Sequence, residues 1–349
     1  MTSRRVLLGA AVALACLAAA PVAAQQPTTL KIGTWLPAHH LIPRGIIQPW
    51  AEAVERESNG TLRLQLMDSP IGRPPEYFDY VVNGVIDIGY GVSGHNPGRF
   101  TMTQVIDLPF MSPDPWSGAA ASWLTYQRYG QLYKEHEGVH MLGIWVHSEP
   151  YIHWRGEPMR TLEDLKNRKI RVGGNVTGRI VSMLGGVPVQ LPPTEAQQAM
   201  MSGVADGITF PLESIDFFKI TPVIKSATRV PGGLYTDTFW LAINQAKWNA
   251  LTAQQKAAFD RHSGLAVGLF SGWAWTNGDT VGKAALDRNN VSFYTLPDGE
   301  VEKVKAALKP LEAEWLAEAK KRNLPGEEII AYTRTMVDKY RSSKRVNIP

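Results

Sequence analysis

The predicted order of secondary structure repeats in two separate stretches of the chain. In the first stretch, residues 30–36 and 61–67 have the apolar and alternating patterns of strands. Apolar residues at helical spacing predict one helix between them and a second over 76–82, and residues 85–90 predict a third strand. Strand, helix, strand, helix, strand in this order predicts a parallel α/β sheet.

The same order returns after residue 148. Strands are predicted over 169–172, 187–191 and 204–210, with a helix between each pair. A short sequence, Gly-Val-x-Asp, stands between a helix end and a strand start in both stretches, at 84–87 and at 203–206. The repeated order and this shared sequence predict two lobes of similar α/β build.

Helix boundaries carry their own signals. Capping boxes are predicted at three helix starts: Thr161 with Asp164, Thr194 with Gln197, and Thr252 with Gln255. Residues 253–289 keep a helical apolar stripe, which predicts one helix about 55 Å long. The alternative is two helices with a break near Asn277–Gly278, because glycines weaken a helix. Pro310 should kink or split the following helical stretch.

The N-terminus has the features of an export signal. Arg4 and Arg5 precede an apolar run over 7–20, and small residues follow up to Ala24. Fourteen apolar residues are too few for a membrane span, which needs about 20, so we expect cleavage after residue 24 and a periplasmic protein. The paired arginines also suggest a twin-arginine signal. An uncleaved anchor is the alternative.

Removal of residues 1–24 would also change the composition. The single cysteine, Cys16, lies in this segment, and the basic residues would fall from 36 to 34 against 32 acidic ones. A cysteine-ligated metal and a disulfide framework are therefore excluded for the mature chain. The small, dispersed positive charge argues against a nucleic-acid partner.

Two motifs suggest catalysis or nucleotide binding, but their contexts disagree with them. His136, Glu137 and His140 match the zinc-protease pattern, which needs one helical face, whereas Gly138 interrupts it and a strand is predicted from 139. Residues 89–94 read GxGxxG, but a turn and not a helix follows, which favours a hinge loop. We find no nucleophile elbow or phosphate loop and expect neither an enzyme nor a cofactor. An exported zinc hydrolase remains the alternative from another class.

Arg171 lies at the carboxyl end of a predicted parallel strand, beside two glycines. Ligands of open α/β sheets bind at this edge, and a guanidinium there can hold a carboxylate through two hydrogen bonds. The alternative is a surface salt bridge.

Several segments together resemble the periplasmic solute-binding proteins of TRAP transporters, a family often named for C4-dicarboxylates. They are Leu30–Gly33, Ile71–Gly72, 84–87, Leu108–Phe110, Leu162–Val172 and 203–207. The resemblance implies a two-lobed periplasmic binding protein fold of type II, with hinge strands and a long helix spanning both lobes. On this basis lobe I would comprise 25–147 plus 236–275, and lobe II 148–235 plus 276–340. A third possibility, a binding protein of an ATP-driven permease, would share the lobes without needing the arginine.

The resemblance also implies a role and a site. Such a protein, expected to be a monomer, captures an organic acid and delivers it to a small and a large membrane subunit for ion-driven uptake. In this family an arginine at the Arg171 position binds the ligand carboxylate. A polar or cationic group often stands where Tyr151 lies, and an asparagine where Phe210 lies.

These two departures predict a less polar pocket than a dicarboxylate needs. The expected ligand is a monocarboxylate with an apolar or aromatic body, such as a hydroxy or keto acid, and a C4-dicarboxylate is the alternative. The remaining candidate binding residues lie near strand ends or predicted hinge strands: Trp35, His40, Tyr90, Ser93, Trp154 and Trp240.

Overall fold

The computed structural model describes residues 26–130 and 133–343, so the predicted signal sequence lies outside the described residues. The strands, in chain order, are β1 Thr28–Ile32, β2 Leu62–Leu66, β3 Ile88–Val92, β4 Val139–Val146, β5 Tyr151–Trp154, β6 Lys169–Val172, β7 Val187–Gln190, β8 Gly207–Phe210, β9 Ser226–Arg229, β10 Thr238–Asn244 and β11 Ser292–Thr295. The α-helices are α1 Gln48–Glu57, α2 Tyr77–Val82, α3 Pro115–Tyr129, α4 Asn175–Met183, α5 Ala196–Met201, α6 Leu212–Phe217, α7 Gln245–Ala250, α8 Ala253–His262, α9 Leu265–Arg288, α10 Asp298–Leu308, α11 Pro310–Lys321 and α12 Gly326–Arg341.

The strands form two sheets, one in each lobe. The first has the order β2-β1-β3-β10-β4, with β1 parallel to β2 and β3. The second has the order β11-β9-β5-β8-β6-β7, with β6 parallel to β7 and β8. The two-lobed α/β fold is therefore confirmed, and its two strand–helix repeats form the predicted parallel parts.

Each sheet also contains an antiparallel strand that borders a crossing between the sheets. The chain leaves the first sheet at β4 and enters the second at β5, which runs antiparallel to β8 and β9. It returns from β9 to β10, which runs antiparallel to β3 and β4. Both sheets therefore contain parallel and antiparallel pairs. The strand that enters from the other lobe is antiparallel to the neighbouring strand of the strand–helix repeat. The chain crosses between the two sheets at 147–150 and at 230–237.

The long helix is confirmed, but its start is not where we predicted it. Helix α9 spans 24 residues, or about 36 Å, and packs on α3 and β4 of one lobe and on α6 of the other. The break from α8 lies at Gly264, whose φ of +63° cannot continue a helix, so a continuous helix from 253 is wrong. A break near Asn277–Gly278 is wrong as well.

The glycines inside α9 permit close packing. A Cβ on Gly272 would lie 2.8 Å from the backbone of α3, and one on Gly282 would lie 2.5 Å from the backbone at the start of α6. These contacts join the helix to both lobes, which explains why glycines occur within it.

The C-terminal helices bridge the lobes. Pro310 begins α11 directly after α10 ends, as the predicted split requires. Helix α12 packs on α3, which the predicted boundaries assign to lobe I although they assign 276–340 to lobe II. Within the described residues, no helix combines the length and apolar character that a membrane span needs.

The shared Gly-Val-x-Asp sequence performs the same task in both lobes. Gly84 and Gly203 adopt positive φ angles of +70° and +76°, which end their helices. The carboxylates of Asp87 and Asp206 then accept hydrogen bonds from the backbone N–H groups of Lys31 and Lys169, each at 2.8 Å. The similar build predicted from this sequence is confirmed at the amino ends of β3 and β8, which these two aspartates directly precede.

Candidate functional site

Arg171 lies on β6, one residue before its end, and is fully buried. Its Nε and Nη2 donate hydrogen bonds to the Leu191 carbonyl, at 3.1 and 2.6 Å. The guanidinium carbon lies 4.4 Å from the centre of the Phe210 ring. Burial lowers the pKa of Arg171 to about 10, which leaves the side chain charged at neutral pH.

The third nitrogen of this guanidinium has no described acceptor. Nη1 is buried without a hydrogen-bond partner among the described residues. A buried, charged donor without an acceptor costs several kcal/mol, of order 1–3 or more. A bound carboxylate would supply the acceptor and the opposite charge, so the side chain is suited to binding an anion.

Arg171 borders a small cavity between the lobes. Lobe I contributes Trp35, His40, Ile42, Val92 and His95. Lobe II adds Gly173, Pro193, Phe210, Pro211, Ser214 and Phe218. The crossing segments contribute His147 and Asp237, β10 contributes Phe239, and α9 contributes Trp275. The cavity therefore lies at the carboxyl ends of β3, β6 and β8, at the edge where the sequence predicted it.

Two histidines of the cavity wall, His40 and His95, are neutral at physiological pH. Burial lowers the pKa of His40 to about 3 and that of His95 to about 4. His147 donates from Nδ1 to the Ser148 carbonyl at 2.7 Å, and its Nε2 accepts from the backbone N–H of Asp237 at 3.0 Å. Those two partners fix the tautomer, because a carbonyl can only accept and an N–H can only donate. Arg171 and Asp237 are the two remaining ionisable side chains among the described wall residues.

Around this cavity the two lobes touch. A Cβ on Gly174 would lie 3.3 Å from the Cα of Gly94, so backbone faces backbone at this point. Gln104 donates to Asn175 at 3.2 Å, and Arg73 pairs with Glu195 at 3.3 Å, each across the lobes. The described arrangement is a closed one.

Four of the predicted site residues line the cavity: Trp35, His40, Arg171 and Phe210. Tyr90 lies behind the wall, with its hydroxyl bonded to Thr34 and its ring 6.1 Å from that of Trp35. It can hold Trp35 in place.

The other four candidates lie away from the cavity wall. Tyr151 is half-buried against Phe293, and Ser93 is fully buried after β3. Trp154 belongs to the core of lobe II, where its Nε1 donates to Thr228 at 3.1 Å. Trp240 belongs to the core of lobe I.

His95, His147, Asp237, Phe239 and Trp275 line the cavity and were not among the predicted residues. One signal was available, because His95 follows the glycine-rich turn at 89–94 that was interpreted as a hinge loop. Residues 89–92 belong to β3 and 93–95 form a 3-10 helix, so the segment does not open an α-helix, as a nucleotide-binding fingerprint would require.

The zinc alternative is not supported. His136 is buried and stacked on Phe100, whereas His140 lies on β4 and stacks on Trp248 at 3.7 Å. Gly138 between them has a φ of +90°, which no helix allows, so the side chains do not converge. No cluster of three or more metal-ligating side chains occurs in the described part of the chain.

The chain is similar to many solved structures, including the following three. A TRAP periplasmic solute-binding protein from Bordetella bronchiseptica, with bound (R)- and (S)-mandelate, is 31% identical, with a TM-score of 0.86 over 90% of this chain and 99% of that one. A TRAP solute-binding protein from Rhodoferax ferrireducens, with copurified benzoate, is 26% identical, with a TM-score of 0.84 over 90% and 98%. A marine metagenome TRAP protein specific for aromatic acid ligands, in complex with 3-hydroxybenzoate, is 27% identical, with a TM-score of 0.84 over 90% and 99%.

The family model for bacterial extracellular solute-binding proteins, family 7, matches residues 32–319. This match covers most of the chain and includes both sheets and the cavity between them. Together with the two-lobed fold, it identifies the chain as a member of the DctP family, the solute-binding components of TRAP transporters.

Proposed function

We propose that this protein captures a small aromatic monocarboxylate in the periplasm and delivers it to the membrane subunits of a TRAP transporter. The observation that carries the proposal is the buried Arg171, whose Nη1 has no acceptor among the described residues. A single carboxylate satisfies that donor and neutralises the charge.

The charges of the cavity favour one carboxylate over two. Arg171 is the one permanent cation among the described wall residues, and Asp237 is an acid. The second carboxylate of a C4-dicarboxylate would have no cation to pair with and would lie near Asp237. We therefore expect dicarboxylates to bind more weakly than monocarboxylates, since a buried unpaired charge costs several kcal/mol.

The rest of the wall is suited to an aromatic ring. Trp35, Phe210, Phe218, Phe239 and Trp275 surround the cavity. Apolar walls with a few polar anchors are typical of sites for small organic ligands. The mandelate, benzoate and 3-hydroxybenzoate bound by the similar proteins are aromatic monocarboxylates, which supports this ligand class.

Export and delivery complete the proposal. Residues 1–24 would direct export, through the twin-arginine or the general route, and would be removed. The mature monomer would close on its ligand, with 25–147 plus 236–275 as lobe I and 148–235 plus 276–340 as lobe II. The closed form would then engage the small and large membrane subunits. The protein would catalyse no bond change.

The test is calorimetry and thermal shift on purified mature protein with benzoate, phenylacetate and succinate. We expect the aromatic acids to bind and to raise the melting temperature, and succinate to do neither. Arg171→Gln should lower the affinity for the aromatic acids by about 100-fold or more. Arg179→Gln, which removes an exposed arginine paired with Glu314 on the surface, is the matched control and should bind normally.

A wild-type preference for succinate would contradict the proposed ligand class. Unchanged affinity in a folded Arg171→Gln variant would contradict the proposed anchor. Circular dichroism and the melting temperature establish folding for both variants.

A further inference from the structure

Asp237 lies on the crossing segment just before β10 and lines the same cavity as Arg171. Its side chain is largely buried, with 17% of its surface exposed. A carboxylate in an anion-binding cavity repels the ligand's own charge, so its presence there calls for a ligand group that compensates.

No described side chain donates a hydrogen bond to this carboxylate. The nearest ring nitrogen, Nε2 of His147, lies 3.5 Å from Oδ2. That nitrogen already accepts a hydrogen bond from the backbone N–H of Asp237, and Nδ1 on the other side of the ring donates to the Ser148 carbonyl. His147 therefore holds the Asp237 backbone and does not neutralise its side chain.

Asp237 and Arg171 are close enough to bind one short segment of a ligand. A Cβ placed on Gly173 would lie 3.3 Å from Oδ2 of Asp237 and 3.8 Å from both Nη1 and Nη2 of Arg171. The two groups do not form an ion pair among the described contacts. Arg171 Nη1 is a donor without an acceptor among the described residues, and the Asp237 carboxylate has no described side-chain donor. Both groups border the same point of the cavity.

We infer that Asp237 accepts a hydrogen bond from a hydroxyl on the carbon next to the ligand carboxylate, which makes the site selective for aromatic 2-hydroxy acids. The carboxylate binds Arg171, and the adjacent hydroxyl donates to Asp237. This inference rests on the proposed function, because it requires the carboxylate at Arg171. It adds a specificity-determining residue and a narrower ligand class.

The test compares mandelate with phenylacetate, which differ only by the 2-hydroxyl group. Wild-type protein should bind mandelate roughly 10- to 100-fold more tightly in calorimetry, as expected for a hydrogen bond to a charged acceptor. Asp237→Asn should reduce that ratio at least tenfold, by weakening mandelate and strengthening phenylacetate. Asp237→Ser provides a second variant should Asp237→Asn fail to fold.

Glu195→Gln is the matched control, because Glu195 also acts on the Arg171 charge but does not line the cavity. It should leave the ratio unchanged. Equal wild-type affinities for the two acids, or an unchanged ratio in folded Asp237 variants, would overturn the inference. So would a loss of the ratio in His95→Phe alone, which would assign the hydroxyl to His95.

Tighter binding of phenylglycine than of mandelate would also overturn the inference, because Asp237 would then recognise an ammonium group. Failure of the proposed function is a different result. In that case neither mandelate nor phenylacetate binds wild-type protein.

Discussion

The two sheets are built alike at one end and differently at the other. At the amino ends of β3 and β8, Asp87 and Asp206 hold equivalent backbone groups at the same distance. Beyond the carboxyl ends, lobe I presents Trp35 and neutral histidines, whereas lobe II presents the charged Arg171. The shared ends stabilise the fold, and the differing ends give the cavity an apolar wall from lobe I and a cationic group from lobe II.

The largest expected effect tests this division at the carboxyl ends. Arg171→Lys keeps the charge but loses the planar fork, and should lower the affinity for benzoate by about 10- to 100-fold. Trp35→Leu keeps an apolar wall and should lower it by less than about tenfold. Calorimetry with benzoate on both variants measures the two losses of affinity. A larger loss from Trp35→Leu would mean that lobe I, and not lobe II, dominates binding.

The amino ends should respond in stability and not in affinity. Asp87→Ala should lower the free energy of unfolding by about 1–3 kcal/mol, because it removes a charge-assisted hydrogen bond at a largely buried position. Asp206→Ala should cost less, since Lys169 is exposed and water can replace the carboxylate. Urea unfolding measures both, and Asp→Asn at each position, which retains an acceptor oxygen, is the control. Equal losses at the two sites would contradict this ranking.

The two helix-ending glycines should behave as a pair. Gly84→Ala and Gly203→Ala should each lower stability by about 1–2 kcal/mol, because alanine disfavours a positive φ. Gly299→Ala is the control, because Gly299 lies in α10 and the added Cβ would have no atom within 4 Å. That change should be neutral or stabilising. A destabilised Gly299→Ala protein would show that the added methyl group itself, and not φ, is responsible.

A smaller effect is the pH dependence of stability that a buried carboxyl group of lobe II produces. Burial raises the pKa of Glu213, on α6 of lobe II, to about 8. The folded protein then keeps a proton that the unfolded chain releases near pH 4.5, so stability falls as pH rises between these values. Burial of Asp107, whose pKa is raised as well, acts in the same direction.

Unfolding by urea without ligand should therefore show stability declining by up to about 1 kcal/mol per pH unit between pH 6.5 and 8. Glu213→Gln should reduce the slope. His40, whose pKa burial lowers, affects stability only below about 6.5 and does not interfere. A slope that is unchanged in Glu213→Gln would assign the effect to other groups.

The sequence predicted the repeated units well because their signals are local. Strand β6 has its predicted bounds, and the capping boxes at Thr161 and Thr252 are present. The box at Thr194 is wrong, because 193–195 form a 3-10 turn and α5 begins after it without a side-chain cap. The 3-10 turn moves the start of α5 to Ala196, so Thr194 is not at the N-cap position that its residue type suggests.

The site was predicted only where strand ends determine it. Arg171 was expected from the rule that ligands bind at the carboxyl edge of the sheet, and Phe210 was expected from the family resemblance. Asp237 and Trp275 lie on a crossing segment and on a helix that touches both lobes, so their positions depend on how the lobes meet. Trp154 and Trp240 are on strands near the crossings, but their rings pack into the two cores. Residue type and strand position do not determine whether such a ring packs into a core or lines the cavity.

The approach of Gly94 to Gly174 sets the width of the closed cleft. Backbone meets backbone there, so no side chain can change its rotamer to accommodate a wider ligand. The position acts as a fixed stop for lobe closure, and a ligand too thick for it would hold the lobes apart. A protein carrying an oversized ligand would then differ in shape from a correctly loaded one.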